Sequence, residues 1–280
     1  TWQNTQQPAP AGPRSGPRYQ ESIRKMGYVT QQRRQAVLQC RGPSRRRRGL
    51  VLFKVRNFEP TEDLVVDGEK TALHDLGGAL SAGSASGGKG ECDYRVEDGT
   101  LYIEGFKGIK TIGADFSDNI ITLVIPQGTR FEELDIEIGA GVMEVTGVGA
   151  AEIEASIGAG ELIMYQVASE ELSIEVGAGR IEAGGMISKD ISVTVGVGEG
   201  IYEGTASGNV EVESDMGNIE FSLQEDQDSF NYDIECDMGS VEIGGSGFSG
   251  MGREQRVNNH ASKEFEVSCN LGNINISFKE

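Results

Sequence analysis

Apolar and polar residues alternate with a period of two along the second half of the chain, and a short glycine-rich corner interrupts this alternation at regular intervals. In residues 134–141, Leu134, Ile136 and Ile138 share one side of an extended strand, and two acidic residues occupy the other side. The alternation resumes after Gly141. Each unit therefore predicts two short β-strands joined by a tight Gly-x-Gly corner.

The unit repeats along the chain. Its last corner glycine, here called the marker glycine, recurs every 19 residues over five units and then after 22 and 33 residues: Gly141, Gly160, Gly179, Gly198, Gly217, Gly239 and Gly272. A fixed period of this size is typical of a solenoid, whose units bury their apolar faces by stacking on one another. The pattern predicts an all-β fold over residues 91–280, a single-stranded-type β-solenoid (β-helix) of about seven to nine rungs with 19-residue spacing.

The corners change toward the C-terminus. We expect the corner glycines to supply a positive φ, which glycine adopts without strain. In the last three rungs the first corner residue is instead one that tolerates such a φ: Asp215, Asp237 or Asn270. The central corner residue enlarges from alanine or valine in the same rungs: Met216, Met238 and Leu271. These larger side chains predict a solenoid that widens toward its C-terminal end and fills the extra cross-section with them.

Charge divides the chain into unlike parts. Residues 1–56 contain 13 basic residues and one acidic residue, a net charge of +12, whereas residues 57–280 have a net charge of −31. This composition predicts that residues 1–56 are a basic leader that is disordered or non-native. Residues 57–90 predict a Gly/Ser-rich transition into the solenoid. Four consecutive arginines at 45–48 could attract nucleic acid, but no aromatic residue is interleaved with them, which disfavours nucleic-acid binding.

The residue types available for chemistry are few. The chain has two histidines and four cysteines, none of them in a C-x-x-C pair, so we assign no metal, cofactor or catalytic residue. Acidic residues recur on the outer side of the strands: Asp135, Glu137, Glu152, Glu154, Glu171, Glu175, Glu211 and Glu213. Stacked carboxylates are one way to bind calcium, but acids that recur in every rung are typical of a solvated face, whereas a catalytic pair would be singular. We expect no enzymatic activity.

Cys236 and Cys269 occupy the same position in two rungs, three residues before the marker glycine. The alternation directs both side chains inward from adjacent rungs, about 4.8 Å apart. Two interpretations stay open: a pair of buried thiols, and a disulfide formed if the protein matures outside the cell.

The 33-residue interval contains the one long insertion, residues 244–263. Loops on a rigid scaffold commonly carry recognition. The candidate ligand residues in it are Phe248, Arg253, Arg256, Asn258 and His260. The alternative is a cap that covers the side of the last rung.

The repeated rungs ending in Gly-Ala-Gly, the Asp-Gly hairpin at 96–103, the Gly-rich insertion at 245–252 and the ending at 272–278 together resemble the DUF4097 family. The resemblance covers about residues 92–280. It implies an adhesin-like role in bacterial cell envelopes and supplies no catalytic residues. On this basis we expect a non-enzymatic binding or display scaffold in the cell envelope or outside the cell, with an unknown envelope or surface ligand.

Two other functions stay open. Residues 274–278 lie almost at the C-terminus with little sequence left to cover their strand edge, which favours a self-assembling, bactofilin-like structural solenoid. A carbohydrate-active enzyme would need a singular carboxylate cluster in a groove. The longest apolar run, residues 50–53, is too short to cross a bilayer, so we expect no transmembrane segment in this chain, and no anchor or signal is visible in it.

Overall fold

The computed structural model describes residues 130–249 and 253–279 and, before them, eight separate strands. In chain order the strands are β1 Gln35–Arg41, β2 Val51–Arg56, β3 Val65–Gly68, β4 Thr71–Ala72, β5 Ala82–Gly87, β6 Gly90–Glu97, β7 Thr100–Lys107, β8 Ile120–Pro126, β9 Arg130–Ile138, β10 Val142–Thr146, β11 Gly149–Ile157, β12 Glu161–Tyr165, β13 Ala168–Val176, β14 Arg180–Val195, β15 Glu199–Ala206, β16 Val210–Ser214, β17 Asn218–Leu223, β18 Phe230–Cys236, β19 Ser240–Ile243, β20 Ser246–Ser249, β21 Arg253–Val257, β22 Lys263–Cys269 and β23 Asn273–Phe278. Within these residues the only helical element is the 3-10 turn Gln227–Ser229.

The predicted all-β solenoid is confirmed. Each rung contains a first strand, a corner and a second strand, and over residues 130–223 equivalent strands of successive rungs pair in parallel with a register offset of 19 residues. Rung 1 is β9 and β10, rung 2 is β11 and β12, and rung 3 is β13 and the first part of β14. Rung 4 is the rest of β14 and β15, and rung 5 is β16 and β17. Two further rungs follow: rung 6 is β18 and β19, and rung 7 is β22 and β23.

The predicted alternation describes the interior well. In rung 1, Leu134, Ile136 and Ile138 from the first strand and Met143 and Val145 from the second strand are completely buried. Their equivalents in the other rungs join them in one continuous core. Each such aliphatic side chain stabilises the fold by roughly 1.5–3 kcal/mol when it leaves water, and it does so only because the neighbouring rungs are in place.

The rungs are not stacked in chain order. Strand β22 pairs with β16 on one side and with β18 on the other, and β23 likewise lies between β17 and β19. Rung 7, the last in the sequence, is therefore inserted between rungs 5 and 6. Rung 6 is consequently the end of the solenoid.

Antiparallel strands cover both terminal rungs. At the first end, β2 pairs with β9 and β1 pairs with β10. At the other end, β21 pairs with β18 and β20 pairs with β19. Capping of this kind prevents an end strand from pairing with another chain. The expectation that the strand at 274–278 forms a free edge is wrong, because β23 has a neighbour on both sides.

Two strands, β1 and β2, lie inside the basic segment 1–56. The register of β2 sets Lys54 opposite Asp135 and Arg56 opposite Glu133, which places residues of opposite charge across the pair. The other residues of this segment lie outside the described residues, and for them the predicted disorder stays a prediction. Strands β6 and β7 pair with Glu97 opposite Thr100, which confirms the Asp-Gly hairpin.

Aromatic residues fill much of the core in rungs 4 to 7. Tyr202 stacks on Phe221 with ring centroids 4.4 Å apart, and Phe265 packs edge-on against both Phe221 and Phe230. The sequence prediction assigned this filling role to the central corner residues, and that assignment is wrong: Met216, Leu271 and Met238 are exposed. The larger inward side chains are on the strands, not at the corners.

Candidate functional site

The corners are stacked so closely that a side chain at the marker position would overlap the neighbouring rung. A Cβ built on Gly160 would lie 2.7 Å from the carbonyl oxygen of Gly141, and one on Gly217 would lie 2.8 Å from that of Gly198. Of the seven marker glycines, all within the described residues, only Gly141 has a positive φ, 152°. The predicted reason for these glycines is therefore wrong for the other six, which are required by close backbone approach.

The left-handed backbone lies at the other turn of the rung. Gly147, Gln166 and Gly185 are equivalent positions 19 residues apart, and their φ angles are 69°, 53° and 64°. The two turns of rungs 1 to 3 therefore differ. The backbones of successive rungs stack closely at the Gly-x-Gly corner, and the chain adopts a positive φ where the second strand ends.

An exposed row of apolar side chains runs along the stacked corners. Four of its members are large, and we call them the corner ridge; in spatial order, with the exposed fraction of each, they are Val197 (58%), Met216 (55%), Leu271 (52%) and Met238 (64%). Backbone hydrogen bonds connect these corners: the amide of Leu271 donates to the carbonyl of Asp215 and that of Met238 to the carbonyl of Asn270. These backbone hydrogen bonds keep successive ridge residues about 4.8 Å apart.

Polar residues flank the corner ridge on both sides. On the side of the first strands, the Asn270 amide donates to the Asp215 carboxylate at 2.8 Å, and Asp237 follows in the next rung. On the side of the second strands, the Asn273 amide donates to Asn218 at 2.8 Å, and the Ser240 hydroxyl donates to Asn273 at 2.6 Å. These hydrogen bonds hold the ridge residues in a fixed row.

A cavity of about 170 Å³ lies beside the ridge at the end rungs. Its lining combines carboxylates, thiols and neutral polar groups: Glu235, Cys236, Asp237, Glu254, Ser268, Cys269 and Asn270. Glu235 and Glu254 are directly opposite each other on antiparallel strands, an arrangement of like charges that is destabilising by itself. The described lining of this cavity thus carries three carboxylates.

The two cysteines are where the alternation predicted them. Cys236 is directly opposite Cys269 on β18 and β22, and both are buried, free thiols. Burial raises the pKa of Cys269 above its ordinary value of 9.0, and the neighbouring Cys236 adds to this. The Cys269 thiol donates to the Gly272 carbonyl at 3.1 Å, as the buried Ser214 hydroxyl donates to Gly217 at 2.9 Å. Formation of a disulfide between these two thiols when the protein is oxidised stays a prediction.

The outer side of the first strands displays a regular polar column. In spatial order its residues alternate between an acid and a hydroxyl: Glu137, Ser156, Glu175, Thr194, Glu213, Ser268 and Glu235. Carboxylates in this column are two strand spacings apart, about 9–10 Å, which limits their mutual repulsion. A second column places acids in four successive rungs: Glu133, Glu152, Glu171 and Asp190.

One carboxylate on the outer side of the second strands is buried. Glu182 is 4% exposed, and its Oε2 accepts a hydrogen bond from Arg180 at 3.2 Å while its Oε1 has no partner. Arg180 also pairs with Glu199 at 2.8 Å and with Glu161 at 3.9 Å. Burial raises the pKa of Glu182 from its ordinary value of 4.5 against the lowering effect of Arg180.

The insertion forms strands at the end of rung 6. Phe248 is on β20 and Arg253 is on β21, and their side chains lie outside the described part of the chain. Arg256 is exposed and pairs with Asp233 at 3.0 Å. The exposed Asn258 side chain accepts a hydrogen bond from the backbone amide of His260 at 2.8 Å. These residues are spread along the edge, and the insertion covers rung 6, not the last rung in the sequence.

Asn259 joins the insertion to rung 6. Its side chain donates to the Phe230 carbonyl at 2.8 Å, and its backbone amide donates to Asn231 at 3.0 Å. The turn from β19 into β20 contains Gly244 and Gly245, both at positive φ, as a two-residue hairpin turn of type I′ requires. The insertion therefore acts as a cap of rung 6; the ligand role of its residues stays a prediction.

Sequence reasoning missed the corner ridge. The period-two rule gives the direction of side chains only within a strand, and the corner interrupts it, so the rule gives no direction for the residue between two corner residues. The available signal was a simultaneous change in the last rungs. A bulky apolar residue replaces alanine there, while the inward residue two positions before it shrinks from isoleucine or valine to Ser214, Cys269 or Cys236.

The described residues contain no helix long and apolar enough to span a membrane. Nor do they bring together three or more His, Cys, Asp or Glu side chains that could hold a metal ion. Comparison of the chain with family models, curated proteins and solved structures gave no match.

Proposed function

We propose that this protein is a non-enzymatic, adhesin-like scaffold that binds or displays a partner at the cell envelope or cell surface. The observation that carries this proposal is the column of alternating acids and hydroxyls on the outer side of the first strands, which extends over all seven rungs. A regular, solvated and negatively charged face suits binding to an extended cationic surface. The envelope location rests on the resemblance to DUF4097.

The arrangement of carboxylates favours binding over hydrolysis. A glycosidase needs one pair of carboxyl groups that is distinguished from all others by its spacing and surroundings. Most acids of the described strands instead repeat from rung to rung on exposed positions. The one buried carboxylate among the side chains that the structure describes, Glu182, has Arg180 as its partner and is surrounded by other acids of the same stack. These features support a scaffold whose affinity comes from many equivalent contacts.

Retention of the purified full chain by isolated bacterial envelopes tests the proposal. The variant Glu137→Gln/Glu175→Gln/Glu213→Gln removes three charges from this column on the outer side of the first strands. The control Glu144→Gln/Glu220→Gln/Glu242→Gln removes three charges from the outer side of the second strands. We expect the first variant to be retained less than the parent, and the control to behave as the parent does. Equal retention of both variants, or cleavage of envelope polysaccharide by the parent, would overturn the proposal.

A further inference from the structure

We propose that the corner ridge is the docking surface for a cationic, amphipathic segment of a partner protein. The inference rests on the scaffold function proposed above and adds the place and the chemistry of recognition. Its apolar part would be the row of Val197, Met216, Leu271 and Met238. Its polar part would be the acidic groups beside that row.

The concentration of apolar exposure in one row points to a ligand. Among the residues that the structure describes, five large aliphatic side chains are exposed, and four of them form the corner ridge; the fifth is Ile187. Isolated exposed aliphatic residues are ordinary, but a contiguous row of them is typical of an interaction site. The row extends over three strand spacings, about 14 Å, enough for several side chains of a peptide.

The ridge is not explained by the needs of the fold. Alanine is sufficient at the same corner position in rungs 1 to 3, where Ala140, Ala159 and Ala178 stack in the same way. Met216, Leu271 and Met238 add apolar surface that remains more than half exposed, so their burial contributes little to the core. Replacing them should therefore leave the rungs intact.

Charge determines which partner fits. Asp215 and Asp237 immediately precede two ridge residues, and Glu235 and Glu254 line the cavity beside them. A second copy of this chain would bring the same carboxylates together, and residues 57–280 already have a net charge of −31. Like charges brought together in an interface repel each other, whereas lysine or arginine residues there would be attracted. A segment with an apolar stripe bordered by basic residues is complementary to both parts of the surface.

Fluorescence anisotropy with the full chain tests this inference. The probe is a fluorescein-labelled peptide of about 12 leucine and lysine residues arranged as an amphipathic helix. One comparison peptide has serine in place of every leucine, and another has glutamate in place of every lysine. We expect the leucine–lysine peptide to bind, and both comparison peptides to bind at least about tenfold more weakly.

The protein variant Met216→Ser/Leu271→Ser/Met238→Ser removes most of the ridge. We expect it to weaken binding of the leucine–lysine peptide by about tenfold or more. Ile187→Ser, which removes an equally exposed aliphatic side chain outside the ridge, should change the affinity by less than about twofold. Unchanged circular dichroism and denaturation midpoints will show that both variants are folded, and Met238→Ser alone serves if the triple variant is not.

Two results would overturn the inference. The first is equal affinity of the parent and the ridge variant for the leucine–lysine peptide. The second is equal affinity of the parent for the leucine–lysine and serine–lysine peptides, which would show that charge alone attracts the peptide. The titration uses only purified protein and a peptide. If the envelope experiment fails and the peptide binds the ridge, the envelope scaffold is rejected and the ridge is retained as a binding site. If envelopes retain the protein and the peptide does not bind the ridge, the scaffold is retained and the ridge is rejected.

Discussion

Cys236 lies directly opposite Cys269 on neighbouring parallel strands, and both thiols are buried and free. Adjacent strands are about 4.8 Å apart, which is within the Cα separation of about 4.4–6.8 Å that a disulfide requires. The two residues belong to the end rung and to the rung inserted beneath it. A bond between them would fasten the last two rungs together.

Oxidation of the purified chain with glutathione disulfide is expected to join Cys236 to Cys269. Because the bond would close a loop of 33 residues in the unfolded chain, the free energy of unfolding should rise by about 3–4 kcal/mol. Peptide mapping by mass spectrometry identifies the bond, and denaturant unfolding with and without a reducing agent measures the gain.

The matched control is a pair of variants, each with one cysteine replaced by serine. Cys269→Ser should lose the gain, whereas Cys92→Ser, altered in a different part of the chain, should keep it. A chain in which all four cysteines remain free after oxidation contradicts the prediction, and so does a bond that leaves the unfolding midpoint unchanged.

The sequence predicted the fold class, the rung length and the inward direction of both cysteines, because all three follow from a period of two and a spacing of 19 residues. It did not predict the insertion of rung 7, since the period identifies rungs without giving their spatial order. One signal was available. The alternation of acids and hydroxyls continues without a break only if Ser268 lies between Glu213 and Glu235.

The corner shows a second limit of pattern reasoning. Recurrence of glycine reveals that a side chain is not tolerated, but two physical causes give the same pattern: a positive φ and a close approach of another backbone. At Gly160 and Gly217 the cause is close approach, and no property of a single rung could distinguish the two. The exposure of Met216 was missed for a related reason, because it depends on how successive corners stack.

The alanine substitution Gly179→Ala is expected to destabilise the solenoid by about 1–3 kcal/mol. Its Cβ would overlap the Gly160 carbonyl oxygen, a backbone group that cannot move without shifting a strand. Gly247→Ala is the matched control, because its Cβ would meet no atom within 4 Å. Denaturation midpoints of the two variants measure the difference. Equal midpoints would show that the corners are not tightly stacked in solution.

Glu182 gives a prediction about pH. Because burial raises the pKa of this carboxyl above 4.5, its contribution to stability is fully present below that pH and is lost as the pH rises through the higher value of the folded state. Glu182→Gln cannot ionise, so its stability relative to the parent should increase between about pH 4 and about pH 7. Urea unfolding at both pH values measures this. Glu220→Gln, at an exposed position of the same stack, should show no such trend, and a parallel trend in both variants would contradict the assignment to burial.

Removal of residues 1–56 is expected to make the chain self-associate. The deletion removes β1 and β2, and thereby exposes the edges of β9 and β10 with their unpaired backbone groups. A deletion of residues 1–34 retains both strands and should behave as the parent does. Light scattering at increasing protein concentration distinguishes the variants. If the chain without residues 1–56 stays monomeric and as stable as the parent, these strands are dispensable, as a non-native leader would be. If it associates end to end, β1 and β2 are needed to cap the first rung, and the self-assembling solenoid that the sequence left open as an alternative is a state that this segment prevents.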